Sequence, residues 1–215
     1  MDNQLAAFRH YVLTVVQART TNPQHDYVSA LIPAMAEAGI RDPMVLADTI
    51  ILLFADAVEN VDRGIASVVQ SLLSNPDQFA ALRGVPERTG AAIEEALRIE
   101  SPAQAIARVA RSDTEIHGTA IKQDSTVLLI LGAANRDPAQ FPAPDRFDIA
   151  RPRQAYLSFG KGKHSCLGAQ LAKAETEAAV AAFLAHAPNV RLVDDAPQWL
   201  ARPGHRWLAH LRLAL

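Results

Sequence analysis

Residues 43–73 read as one unbroken helix, and this feature most narrows what the chain can fold into. Asp42-Pro43 supplies an N-cap and a proline at the first helical position, and Asn75-Pro76-Asp77 stops the helix at its other end. A helix of this length is long for a globular domain. Its apolar residues Leu46, Ile50, Ile51, Leu52, Leu53, Phe54 and Val58 cannot all face one side. A helix apolar around most of its circumference belongs inside a larger helical body.

The flanking sequence agrees with a mainly α architecture. Helical spacing of apolar residues predicts helices over 5–18 and 27–38, the second closed by Gly39. A short helix is expected to end near Arg83, and another, opened by Pro86-Glu87, carries Glu94-Glu95-Ala96-Leu97-Arg98 and stops at Ser101-Pro102. Beyond Ala103 the pieces shorten: 106–110, 114–117 and 120–122 read as small strands around turns at Gly118 and Asp124-Ser125. Residues 126–134 suit either a strand or a short helix. Residues 137–153, with four prolines, form a long irregular loop; such loops are functional or tightly tied down. A clear helix covers 167–187, and 190–193 with 207–213 suits a terminal β-hairpin.

Composition excludes several functions. The 215 residues suffice for one domain or two small ones, and 49% hydrophobic against 20% charged residues supports a sizeable core. Lysine plus arginine, 21, nearly balances aspartate plus glutamate, 23, for a net charge of -2, so no nucleic-acid partner is expected. Apolar runs such as 50–55 and 127–131 fall far short of the ~20 residues of a membrane span. The N-terminal Met-Asp-Asn-Gln lacks signal-peptide character, so a cytoplasmic location is expected.

The single cysteine stands in Phe159-Gly160-Lys161-Gly162-Lys163-His164-Ser165-Cys166-Leu167-Gly168, immediately before the 167–187 helix. One cysteine forms no intrachain disulfide and no Cys-rich zinc site. A thiolate at a helix N-terminus is stabilised by free backbone N–H groups and the positive end of the dipole. Gly160 and Gly162 open backbone conformations closed to other residues and let the chain approach a planar ligand, and Gly168 leaves room on the first turn. A buried, inert cysteine is the plain alternative for such a position; three glycines, a phenylalanine and a histidine around it favour a site.

Phe159, Gly162, His164, Cys166 and Gly168 match the heme-binding signature of the cytochrome P-450 family, in which Phe is followed at fixed spacing by Gly, Arg or His, Cys and Gly. The chain resembles that family in its C-terminal half. The fold implied is mainly α with small β-sheets, a long distal helix and a proximal cysteine loop leading into a helix, with residues 1–215 forming a single truncated heme-binding domain. The resemblance implies heme b (iron protoporphyrin IX) as cofactor and Cys166 as its thiolate ligand, a role in which the thiolate pushes electron density to favour O–O cleavage. Phe159, Gly160, Gly162 and Gly168 would line the heme, and His164 and Arg108 would face its propionates, a guanidinium suiting a carboxylate.

Other motifs recur in the family's order. Glu95-Ala96-Leu97-Arg98 resembles its Glu-x-x-Arg pair, and Pro144-Asp145-Arg146-Phe147 resembles the loop that supplies a third member, here expected to be Arg146. Asn135-Arg136-Asp137-Pro138 and Phe147-Asp148 also fit. Residues 43–73 correspond to the helix crossing the distal face of the heme. There the family carries an acid followed by two hydroxyl residues; this chain has Glu59, then Asn60 and Val61, with Asp56 one turn before Asn60. Asp56, Glu59 and Asn60 are the candidate catalytic residues. An asparagine amide donates a hydrogen bond or holds a water but is no hydroxyl relay.

Family members are roughly twice this length, so the chain is expected to lack the N-terminal helices that hold much of the substrate pocket. Residues 54–61, 102–106 and the turn at Pro203-Gly204 remain to contact a small-molecule substrate. Three readings follow: a heme-thiolate monooxygenase completed by a homodimer or a complementary chain; a non-catalytic partner protein that keeps the fold; and a thiol enzyme with Cys166 as nucleophile and His164 as base. The third has no identifiable orienting residue. Lys161, Lys163 and Lys173 would receive a redox partner, a ferredoxin or flavin reductase.

Overall fold

The computed structural model describes residues 2–194 and 196–214, which form two compact units, Met1–Glu59 and Asn60–Leu215. The first holds α1 (Asp2–Thr21), α2 (Tyr27–Glu37) and the beginning of α3 (Pro43–Leu73). Its core is Val12 and Val16, one turn apart on α1, with Leu46 and Ala47 of α3; Leu31, Ile32 and Met35 of α2 pack against them. Helix α2 starts where the Asp26 carboxylate accepts the Ser29 amide at 2.9 Å, and it stops at Gly39, whose φ of +82° is free of strain only without a Cβ. Asp42 caps α3 by accepting the Met44 amide at 2.8 Å. Leu52, Phe54 and Val58, the residues that deny α3 a polar face, are exposed.

The second unit contains the rest of α3, then α4 (Pro76–Gly84), a 3-10 turn at Pro86–Arg88 and α5 (Thr89–Ile99). Four strands follow: β1 (Ala105–Val109), β2 (Thr114–Ile116), β3 (Thr119–Ile121) and β4 (Thr126–Ile130). The segment left open between strand and helix is both: α6 (Leu131–Ala134) continues directly from β4. β1 and β4 pair antiparallel, Ala105 opposite Ile130 and Val109 opposite Thr126. β2 and β3 form a hairpin turning on His117 and Gly118, both with positive φ, the turn chemistry that matches strand twist. After a long segment with one 3-10 turn, Gly162–His164, comes α7 (Ala169–His186).

The terminal hairpin is shorter than expected. β5 (Arg191–Leu192) pairs with β6 (Leu213–Ala214), and an isolated bridge joins Trp199 to Leu208. Side-chain packing interrupts the rest: the buried Trp207 ring lies under the guanidinium of Arg202 at 4.3 Å and meets the His205 ring edge-on at 4.8 Å. The core of this unit comes from Val68 and Leu72 of α3, Leu82 of α4, Ala92, Ile93 and Ala96 of α5, Phe147 and Ile149 of the loop and Val180 of α7. Each of the larger side chains among them contributes about 1.5–3 kcal/mol when fully buried.

Candidate functional site

Glu95 and Arg98, one turn apart on α5, are the most deeply buried ion pair among the described residues, at 5% and 2% exposure. The Arg98 guanidinium donates to both Glu95 carboxylate oxygens, at 2.8 and 2.9 Å, and to the Asn135 carbonyl at 2.7 Å, and it lies 5.0 Å over the Phe141 ring. The third member is Arg151. Its Nε donates to Glu95 Oε1 at 2.9 Å, while its other nitrogens donate to the carbonyls of Pro142, Ala143 and Arg146. Arg146, assigned that place by sequence, has its side chain exposed and contributes only its backbone carbonyl. The chain turns back at 148–151, Arg151 N–H bonding to the Asp148 carbonyl, and this turn brings the later arginine inward.

This cluster is tied to the cysteine loop through Asn135 and Ser158. Asn135, fully buried at the end of α6, accepts the Leu157 amide at 2.7 Å and donates to Ser158 Oγ at 2.9 Å; Ser158 Oγ donates to the Leu97 carbonyl at 2.7 Å. Sequence marked Asn135 as part of a motif but gave it no role. The next residue, Phe159, packs on the core, and its carbonyl accepts the Cys166 amide at 2.8 Å. Gly160 and Gly162 both adopt positive φ, +68° and +82°, within the loop so closed.

Residues 161–168, including His164, Cys166 and Gly168, are exposed, and Leu167 is 85% exposed. Cys166 is a free thiol. Arg108 is exposed on β1, where it donates only to the neighbouring Ala107 carbonyl at 2.8 Å, and Leu128, Leu129 and Ile130 of the paired strand β4 are exposed as well. On α3, Asp56 and Glu59 are exposed and Asn60 is half-buried. Of the three lysines, Lys161 and Lys163 are exposed, whereas Lys173 bonds to Glu94 at 2.8 Å and is therefore not a free surface charge. Next to it, Tyr156 has its phenol pushed above the ordinary range by burial and then by the Glu94 carboxylate.

The family model for cytochrome P-450 matches residues 87–187, which contain both the Glu95–Arg98 pair and the cysteine loop. A biotin biosynthesis cytochrome P-450 of Bacillus subtilis is 41% identical over 203 residues, 94% of this chain and 51% of that protein. The 6-deoxyerythronolide B hydroxylase of Saccharopolyspora erythraea is 41% identical over 87% of this chain and 46% of its own length. Among solved structures, the cytochrome P-450 BioI in complex with acyl carrier protein ligated to hexadec-9Z-enoic acid superimposes with a TM-score of 0.91 at 38% identity, covering 98% of this chain and 53% of that one. The ligand-free P-450 monooxygenase TamI gives 0.92 at 33% identity, covering 97% and 52%.

By sequence and by fold the chain matches the cytochrome P-450 family in its C-terminal half, and it spans about half the length of the curated relatives it matches. The family implies heme, and the loop fits such a group. The thiol is exposed, an apolar leucine stands open beside it, and a Cβ on Gly162 or Gly168 would meet only open space, so the backbone there can approach a flat ligand. Among the described residues no group of three or more His, Cys, Asp and Glu is arranged to hold a metal, and no helix is long and apolar enough to cross a membrane.

Proposed function

We propose that residues 1–215 act as the heme-bearing domain of a heme-thiolate oxidoreductase of monooxygenase type, working on a small organic substrate. The observation that carries this reading is the exposed Cys166 thiol on a glycine-opened loop anchored to a buried ion-pair cluster. Bound there, heme b would supply oxygen activation, with the thiolate lending electron density that favours O–O cleavage.

The chain's own residues divide the remaining work. Cys166 supplies the ligand sulfur. Gly160, Gly162 and Gly168 admit the backbone close to the flat face, and the Phe159 ring closes the loop toward the core. His164 and Arg108 pair with the propionates. Asp56, Glu59 and Asn60, neighbours on α3, would hold water and protons, Asn60 by its amide in place of a hydroxyl. A homodimer or a complementary chain covers the exposed apolar residues of α3, and a ferredoxin or flavin reductase delivers electrons at Lys161 and Lys163.

The absorption spectrum of the reduced, heme-reconstituted protein with carbon monoxide tests the reading. A strongly red-shifted Soret band, lost in Cys166→Ser, supports it; the same spectrum in both proteins overturns the ligand assignment. Asn60→Thr addresses the distal residues: it is expected to change the coupling of oxygen use to product, and unchanged coupling removes residue 60 from proton delivery.

A further inference from the structure

The ammonium of Lys173 joins three parts of the second unit at once. Lys173 lies on the second turn of α7. Its Nζ donates to Glu94 Oε1 of α5 at 2.8 Å and stands 5.6 Å from the centre of the Tyr156 ring and 5.5 Å from that of Phe159. The two rings are tilted at 56°, with centres 6.2 Å apart. Both distances fall within the reach of a cation–π contact, and the ammonium is half-buried, which strengthens such a contact over a fully exposed one. Glu94 also faces Arg153, at 3.4 Å.

We propose that Lys173 is a positioning residue for the cysteine loop: held by Glu94, its charge clamps the Tyr156 and Phe159 rings and so fixes the Phe159 carbonyl that holds the Cys166 amide. Glu94 is the neighbour of Glu95, so the clamp fastens the loop to the same helix as the buried cluster. A lysine serving only to greet an acidic partner needs none of these contacts. The bearing of the clamp on catalysis rests on the heme-thiolate reading; its effect on the loop does not.

The test uses the full chain with no heme added and follows amide hydrogen exchange at Cys166 and Gly160, whose N–H groups bond to Phe159 and Leu157 at 2.8 Å. In Lys173→Met both amides are expected to exchange about three- to tenfold faster, with the β2–β3 hairpin unaffected. Lys173→Arg, which keeps a cation able to pair and stack, stays within about twofold of wild type. Glu94→Gln, which keeps the shape and removes the anchor's charge, falls between them. Unchanged exchange at Cys166 in Lys173→Met, an acceleration spread evenly over the unit, or a Lys173→Arg variant as impaired as Lys173→Met would each overturn the clamp. With heme added, Lys173→Met is expected to lower the share of the red-shifted carbon monoxide complex. If wild type binds no heme while the exchange pattern holds, the heme reading fails and the clamp stands.

Discussion

Glu95 and Arg98 are both buried and paired, while at Cys166 the side chain is exposed and the residue holds its loop through its backbone N–H. The first region is costly to alter because its members have no water to fall back on: an Arg98 or Glu95 deprived of its partner stays in the core as an uncompensated charge. The second is cheap to alter for the fold, since its residues are spent on neither packing nor pairing. In one chain, then, the scaffold and the reactive group are separated, and Asn135, Ser158 and the Phe159 carbonyl carry the constraint from one to the other.

The largest expected effect lies in the buried cluster. Glu95→Ala or Arg98→Ala should cost about 3–5 kcal/mol and leave little folded protein, measured by thermal or urea unfolding. Arg151→Ala, which leaves Glu95 with Arg98 and the Asp148 amide, should cost about 1–3 kcal/mol. Arg146→Ala, whose side chain is exposed, should stay within about 0.5 kcal/mol of wild type. Equal losses at 146 and 151 would erase the distinction between the two arginines.

A close contact at the edge of β1 gives the next effect. A Cβ on Gly132 would stand 1.8 Å from Gln104 Oε1, so Gly132→Ala must expel the Gln104 side chain and break its 2.7 Å bond to the Ser101 carbonyl. About 1–3 kcal/mol is expected, largely recovered when Gln104→Ala is added. Full loss in the double variant would move the cause from that side chain to the backbone.

The unequal legibility of these regions has physical reasons. Helix α3 was readable to the residue because Asp42-Pro43 and Asn75-Pro76 act locally. The boundary between β4 and α6 was not, since a short apolar run carries no decisive period; pairing with β1 takes 126–130, and just after it the Gly132 N–H bonds to the Gln104 carbonyl at 3.1 Å. Cys166 was legible because its motif is contiguous. Arg151 was missed because an irregular loop has no periodicity to say which arginine points inward, and Lys173 looked like one of three surface lysines because Glu94 lies 79 positions away along the chain.

Pairing without burial should matter less, and Asp26 measures it in the first unit. Its carboxyl is held down at about 2, first by the hydrogen bond from Arg19 and then by the Ser29 amide. The folded value lies below the unfolded one, near ~4. The contribution of the cap is therefore complete above pH ~4 and is lost as pH falls toward about 2. The Ser29 amide resonance should titrate with that low midpoint, Arg19→Met should raise the midpoint, and Asp26→Asn should abolish the titration. A midpoint at the ordinary carboxylate value would show that the Arg19 contact does not persist in solution.

The smallest expected effect belongs to Cys166, and it is the sharpest test of the contrast. Exposed, free and bonded to the loop through its amide, the residue offers the heme-free fold only a backbone N–H, which serine keeps. Cys166→Ser should therefore unfold within about 0.5 kcal/mol of wild type in the absence of heme. With heme present the two proteins should part, because a ligand that binds only the folded state stabilises it in proportion to its affinity, and that affinity depends on the sulfur. Heme should raise the melting temperature of wild type more than that of the variant. A variant already destabilised by several kcal/mol without heme would mean that the thiol is part of the scaffold, and the separation between the buried cluster and the loop would not hold.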